Sequence, residues 1–136
     1  MFLDYQTPPV SVSKKLVWTG RIISVLPALM LIFSATMKLL KLPAVVTGFD
    51  HLGYPQRLVL PLGMLEISCA IIYLIPRTAV LGAILMTGYL GGAIATHVRL
   101  GEPFVLQFLL GVLVWLGLLL RDSRLRPLLP LRNLSN

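Results

Sequence analysis

Long apolar segments alternate with short polar ones along the whole chain. Four of them are long enough for a helix that crosses a bilayer, which takes roughly 17–25 residues. These segments predict transmembrane helices over residues 16–39, 58–75, 78–98 and 104–121. The connection between the first two predicts a short amphipathic helix over residues 43–52 at the membrane interface, because four apolar residues share one helical face. Those residues are Val45, Val46, Phe49 and Leu52.

The pattern therefore predicts an all-α fold, in which residues 1–136 form a single membrane domain. Composition supports this class, since 57% of the residues are hydrophobic and 12% are charged, roughly half the usual charged fraction. A soluble enzyme, a disordered tail and a nucleic-acid-binding module are all excluded by so apolar a chain. The lipid bilayer is the expected environment, and no nucleic acid partner is expected.

The charges predict an orientation. The 12 Lys and Arg residues exceed the 5 Asp and Glu residues, for a formal net charge of +7. With four spans, eight basic residues fall on the side of both termini: Lys14, Lys15, Arg21, Arg77, Arg121, Arg124, Arg126 and Arg132. The other side carries Lys38, Lys41, Arg57 and Arg99. Because cytoplasmic loops are enriched in Lys and Arg, we expect a multi-pass protein of the cell membrane with both termini cytoplasmic and a basic tail over residues 121–136.

The third predicted span carries small residues at a spacing that favours close helix packing. Gly88, Gly92 and Thr96 follow each other at intervals of four residues, and small residues at this spacing let membrane helices approach. We expect this stripe to pack the span against its neighbours or against a second copy in a homo-oligomer.

Six polar residues are predicted to lie in the outer half of the bundle: Lys38, Glu66, Tyr89, His97, Arg99 and Gln107. Glu66 would lie roughly 12 Å below the outer surface, where a carboxylate must face the bundle interior and be paired or protonated. One interpretation is a polar pocket in which Glu66, His97 and Tyr89 are candidate catalytic groups. Lys38, Arg99 and Gln107 are then the candidate ligand-binding groups. The other interpretation is a buried ion pair that only fixes the order of the helices.

Metal and thiol chemistry find little support in the sequence. His51, His97 and Glu66 are the conceivable ligand set, but no pair of them has the local spacing of a metal motif. No metal site is therefore predicted, and no pair of histidines suggests haem. Cys69 is the only cysteine, which excludes an intrachain disulfide and a thiol pair.

Several motifs resemble those of the DoxX-like family of small four-helix membrane proteins. They begin at Phe33 (FSATMKL), Gly53 (GYP), Gly63 (GMLE), Ile75 (IPR) and Gly88 (GYLGGAIATHVR). The resemblance covers about residues 20 to 122 and implies that Lys38, Glu66, Tyr89, His97 and Arg99 are the characteristic polar positions. The family takes its name from a subunit associated with thiosulfate:quinone oxidoreduction. Membership therefore implies a redox-linked role only weakly, because fold does not determine function.

Three functions remain open. The first is an oxidoreductase-associated membrane protein that binds a quinone or another small lipophilic molecule and receives electrons from a partner protein or a bound cofactor. The second is a non-catalytic assembly or interaction protein, in which Glu66 and its partners are structural. The third is a cofactor-free acid–base enzyme that acts on a lipophilic substrate through Glu66. A transporter is disfavoured, since no inverted repeat or pair of broken helices is evident.

Overall fold

The computed structural model describes residues 13–128, which form five α-helices and no strand. Short 3₁₀ turns precede the third and fourth helices and follow the fifth. The helices are α1 Lys14–Leu39, α2 Pro43–Leu52, α3 Val59–Leu74, α4 Ala79–Arg99 and α5 Val105–Arg121. The predicted all-α class is confirmed, and no helix end differs from its predicted position by more than two residues. Residues 129–136 of the predicted basic tail lie outside the described residues.

Several helices have the length and composition of membrane spans. Three segments qualify: Lys14–Leu39, Gln56–Leu74 and Pro76–Arg99. The apolar helix Val105–Arg121 is shorter, at 17 residues. Large apolar side chains cover the outside of the bundle, as for Ile22 and Phe33, which are 68% and 67% exposed. An apolar exterior of this extent is characteristic of a surface that faces lipid.

The four long helices form a ring in which each packs against two neighbours. α1 packs against α3 and α5, and α4 closes the ring by packing against the same two helices. α1 and α4 end where α3 and α5 begin, and α2 lies at this end of the bundle. We call it the α2 end, and the opposite end, which carries both ends of the described chain, the terminal end.

Close helix contacts concentrate at the terminal end. A Cβ atom at Gly82 of α4 would overlap the backbone of Tyr73 in α3, and one at Gly117 of α5 would overlap Ser24 in α1. Glycine at these positions lets the helix backbones touch. The Tyr73 side chain is fully buried there, and its hydroxyl donates a hydrogen bond of 2.7 Å to the carbonyl oxygen of Val114. The terminal end is therefore the tightly packed half of the bundle.

Among the described residues, no neighbouring helix packs against the glycines Gly88 and Gly92 of the third span, which is α4. A Cβ atom at Gly88 or Gly92 would meet no atom within 4 Å, and both residues are exposed. Of the predicted stripe, only Thr96 is buried. The physical reason is that Gly88 and Gly92 lie on an exposed face of α4, whereas the buried Gly82 lies on the face that touches α3. Packing of these glycines against a second copy stays a prediction.

Candidate functional site

A buried ion pair joins α1 and α3 near the α2 end. The ammonium of Lys38 lies 2.7 Å from Oε2 of Glu66, and it also donates to Oγ of Ser34 at 2.6 Å. The side chains of Lys38 and Glu66 are 12% and 3% exposed. Gly63 allows this approach, since a Cβ atom there would lie 2.9 Å from Cβ of Lys38. Lys38 is thus the cation that pairs with Glu66.

A cavity of about 530 Å³ opens beside this ion pair. All five helices contribute to its wall, and α2 covers it with Val45, Gly48, Phe49 and Leu52. Its polar lining residues are Ser34, Lys38, Tyr54, Glu66, Tyr89, Thr96, His97 and Gln107. Five of the six polar residues selected from the sequence are in this set. The structure therefore brings together residues that lie up to 69 positions apart in the chain, from Lys38 to Gln107.

Two polar contacts position the side chain of His97. Its Nδ1 lies 2.7 Å from the carbonyl oxygen of Ala93, one turn earlier in α4. A carbonyl oxygen only accepts, so Nδ1 carries a proton and donates to it. The side-chain amide nitrogen of Gln107 faces Nε2 at 3.4 Å. The other end of that amide, Oε1 of Gln107, is buried and has no hydrogen-bond partner among the described residues.

We call α2 the cover of the cavity. The cover and the turn that follows it are held in place by contacts with α4 and with the connection between α4 and α5. Gly53 ends α2 with a φ of +79°, a conformation that L side chains rarely adopt. The next residue, Tyr54, donates a hydrogen bond of 2.7 Å to Oγ1 of Thr96, since Thr96 gives its own proton to the carbonyl of Gly92. His51 pairs with Glu102 in the connection between α4 and α5. The cover is thus attached mainly to the end of α4.

Arg99 differs from its predicted role as a ligand-binding residue. It does not line the cavity, and its guanidinium donates to the carbonyl oxygen of Leu52 at the end of α2. Arg99 lies in the last turn of α4, beyond His97, so its long side chain reaches α2 rather than the interior. Its guanidinium therefore contacts the end of the cover and not the cavity lining.

The conceivable metal set from the sequence does not assemble. His51 faces Glu102, whereas His97 and Glu66 belong to the cavity wall. Within residues 13–128, no three His, Cys, Asp or Glu side chains are grouped as metal ligands.

Sequence reasoning missed three polar residues of the cavity, Ser34, Tyr54 and Thr96, the last of which was predicted only to pack helices. Ser34 precedes Lys38 by four residues on α1 and therefore lies on the same helical face. This spacing is the signal by which Ser34 could have been found from the sequence. Tyr54 lies in the motif Gly53-Tyr54-Pro55, which predicted only a turn. Its contribution to the cavity depends on the distant residue Thr96, and no local pattern reveals that contact.

The model of the DoxX-like family matches the chain over residues 22–120. No curated protein and no solved structure matches the chain.

Proposed function

The chain belongs to the DoxX-like family, and on this premise we propose that it is a membrane protein whose cavity binds a lipophilic small molecule such as a quinone. We further propose that this binding is linked to oxidoreduction by a partner in the membrane. The observation that carries the proposal is the cavity of about 530 Å³ with an ion pair and several polar side chains in its wall. Sites for small molecules have volumes of this order and a few convergent polar groups in an apolar lining.

The proposal includes a topology of four spans. The 17 residues of α5 are at the lower limit for crossing a bilayer core, and the helix packs side by side with α1 and α4. With four spans, both termini lie on the side with the greater number of basic residues, which we assign to the cytoplasm. The α2 end and its cavity then face the outer leaflet, and α2 lies at the interface.

A lateral opening between α3 and α4 is the proposed route of the ligand. Gly88 and Gly92 line the cavity and are exposed, so they lie at its edge. The opposite side of α4 faces α5, because Trp115 of α5 donates to Thr87 at 2.7 Å. The two glycines place no side chain at this edge of the cavity, and in this proposal a lipid-soluble molecule enters there from the hydrocarbon core.

The polar residues divide into two roles in this proposal. Lys38 and Gln107 orient the polar group of the ligand, and Tyr89, His97 and Glu66 are positioned to hold or pass a proton near it. The chain has a single cysteine, so a dithiol of its own cannot supply electrons. A partner protein therefore supplies them in this proposal.

Ligand extraction tests the proposal. We would purify the protein in a mild detergent and quantify extracted lipophilic molecules by mass spectrometry. Glu66→Gln should lower the occupancy of a bound molecule several-fold, because the ion pair at the cavity wall is lost. Glu102→Gln is the matched control, since Glu102 pairs with His51 outside the cavity. Equal occupancy in both variants, or no bound molecule in the wild-type protein, would contradict the proposal.

A structural role is the second candidate function, and the direct contact between Lys38 and Glu66 favours it. In this alternative the ion pair stabilises the order of the helices in an assembly protein. No observation favours the third candidate, an acid–base enzyme that acts through Glu66, over these two. The ligand-binding and the structural candidates make different predictions for removal of both Lys38 and Glu66. Only the ligand-binding candidate expects that this removal abolishes binding of the ligand.

A further inference from the structure

We propose that the outer face of α1 at the terminal end binds an anionic phospholipid such as phosphatidylglycerol. In this site the headgroup phosphate lies between Lys14 and Arg21, and an acyl chain follows the apolar side chains of α1 into the bilayer. The inference does not depend on the ligand of the cavity, because this face points to the lipid at the opposite end of the bundle.

Two basic side chains on this face of α1 are placed to contact one headgroup. Lys14 and Arg21 lie on the same side of the helix, two turns apart, and both are exposed. The guanidinium carbon of Arg21 lies 5.2 Å from the centre of the Trp18 ring, one turn nearer the terminal end. The two cationic groups therefore approach the same level. Within residues 13–128, no carboxylate pairs with Lys14 or Arg21.

Two other arginines at the terminal end are engaged within the protein. Arg121 lies 4.8 Å from the centre of the Tyr73 ring and donates a hydrogen bond to the carbonyl oxygen of Tyr73. Arg124 pairs with Asp122. The cationic groups on α1 are thus better placed to receive a headgroup than these two arginines.

An apolar stripe continues the same face of α1 into the bilayer. Ile22, Val25, Leu29 and Phe33 follow at helical spacing, and they are 68%, 42%, 56% and 67% exposed. From Ile22 to Phe33 the helix rises about 16 Å, close to half of the roughly 30 Å hydrocarbon core. The stripe therefore matches the acyl chain of one leaflet. Trp18 lies at the boundary between the basic and the apolar parts, where aromatic side chains are enriched in membrane proteins.

This combination favours an anionic phospholipid over other occupants of the face. A soluble phosphate would contact the cations and leave the apolar stripe unused. A second copy packed on this face in the same orientation would bring Lys14 and Arg21 of both copies together, and these like charges repel each other. Phosphatidylcholine fits the stripe but has no net charge, so the headgroup determines the preference.

Tryptophan fluorescence tests the site at its own position. The protein has two tryptophans, Trp18 and Trp115, so Trp115→Phe leaves Trp18 as the reporter. This variant would be reconstituted in vesicles of equal parts phosphatidylglycerol and phosphatidylcholine, in which one of the two lipids carries bromine on its acyl chains and quenches nearby tryptophan. The ratio of quenching in the two preparations gives the relative affinity. We expect phosphatidylglycerol to be favoured at least about fivefold, the effect of one basic residue near an anionic headgroup.

Trp18→Phe provides the matched control position, because it leaves Trp115 as the reporter. Trp115 lines an apolar groove between α4 and α5 that has no basic residue in its wall. We expect the two brominated lipids to quench Trp115 equally. This comparison separates a site on α1 from a general attraction of anionic lipid to a basic protein.

Substitution of the two cations tests the headgroup contact. In the Trp115→Phe background, Lys14→Gln/Arg21→Gln should reduce the preference to about one, because no cation remains on this face to attract the phosphate. Lys41→Gln/Arg57→Gln is the matched control, since it removes two exposed cations at the α2 end. We expect this control to keep the preference at Trp18.

Several results would overturn the inference. They are equal quenching of Trp18 by both lipids, a preference as large at Trp115 as at Trp18, and a preference that persists in Lys14→Gln/Arg21→Gln. Failure of both lipids to quench Trp18 also overturns it, because protein then covers the face. If the Lys14→Gln/Arg21→Gln variant does not fold, the comparison of Trp18 with Trp115 still decides the question. None of these outcomes changes the proposal for the cavity.

Discussion

The charge of Glu66 is matched inside the bundle by a neighbouring cation. Lys38 approaches it at 2.7 Å, and the side chains of Lys38 and Glu66 are 12% and 3% exposed. Because a buried ion loses its hydration, each charge is tolerated only in the presence of the other. The pair therefore behaves as one unit, and loss of one partner should destabilise the protein more than loss of both.

A double-mutant cycle on this pair separates structure from binding. Glu66→Leu alone should destabilise the protein by about 3–5 kcal/mol, because it leaves the Lys38 ammonium buried and unpaired. The double variant Lys38→Met/Glu66→Leu should regain most of that stability and still fail to bind the ligand. Unfolding curves in detergent and ligand extraction measure the two effects. Additive destabilisation would contradict the coupling, and retained binding would favour a purely structural pair.

Residue chemistry and predicted depth were enough to select Lys38, Glu66, Tyr89, His97 and Gln107, all of which line the cavity. The partner of Glu66 was not predictable, because Lys38 and Arg99 both lie at the same end of the bundle. The approach of α1 at Gly63 favours Lys38, whereas Arg99 turns to the carbonyl of Leu52. Such choices depend on contacts between distant segments, which the pattern along the chain does not contain.

α4 has different surroundings along its length. Near the terminal end, Gly82 is in direct contact with Tyr73 of α3, whereas Gly88 and Gly92 have no neighbour within 4 Å of an added Cβ atom. Helix bounds were predictable because runs of apolar residues end at Pro, Gly and charged residues. The roles of the glycines were not, since small residues at a spacing of four permit a close approach without revealing which helix makes it.

Bulky side chains at the edge of the cavity should obstruct entry of the ligand. Gly88→Leu and Gly92→Leu fill the opening between α3 and α4, and we expect occupancy to fall by about tenfold, equivalent to about 1.4 kcal/mol. Stability should not fall, because leucine forms helices better than glycine by several tenths of a kcal/mol. Ligand extraction and thermal unfolding on the same samples provide both readouts.

Gly91→Leu is the matched control for this prediction. A Cβ atom at Gly91 would likewise meet no atom within 4 Å, but Gly91 lines the adjacent apolar groove between α4 and α5 and not the cavity. We expect occupancy to stay at the wild-type value. An equal loss in all three variants would show that the opening beside α3 is not the route, and formation of a dimer that Gly88→Leu abolishes would assign the stripe to a second copy.

The bundle as a whole is tight at one end and open at the other. Backbone contacts at Gly82 and Gly117 close the terminal end, and the cavity occupies the α2 end beneath the cover formed by α2. The all-α class follows from the apolar runs alone, but the ring arrangement and the cavity do not. They arise from the uneven distribution of helix contacts, and the cavity depends on the position of α2 over the ends of the other helices.

Cysteine labelling tests the orientation of this asymmetric bundle. The native Cys69 is buried and should react little, so single introduced cysteines report their own side of the membrane. Asp50→Cys in α2 and Ser123→Cys after α5 replace exposed residues at opposite ends. With an impermeant maleimide, we expect the former to be labelled in intact cells and the latter only after permeabilisation. The reverse pattern would place the cavity on the cytoplasmic side.

Photolabelling tests most directly whether a lipophilic molecule occupies the cavity. A nonylphenol with a diazirine on its tail would be irradiated with the protein in nanodiscs, and the labelled residues would be mapped by mass spectrometry. We expect the label on residues of the cavity wall such as Leu62, Glu66 and Tyr89, with competition by unlabelled nonylphenol. Label confined to outward-facing residues such as Phe33 and Phe108, without competition, would contradict binding in the cavity.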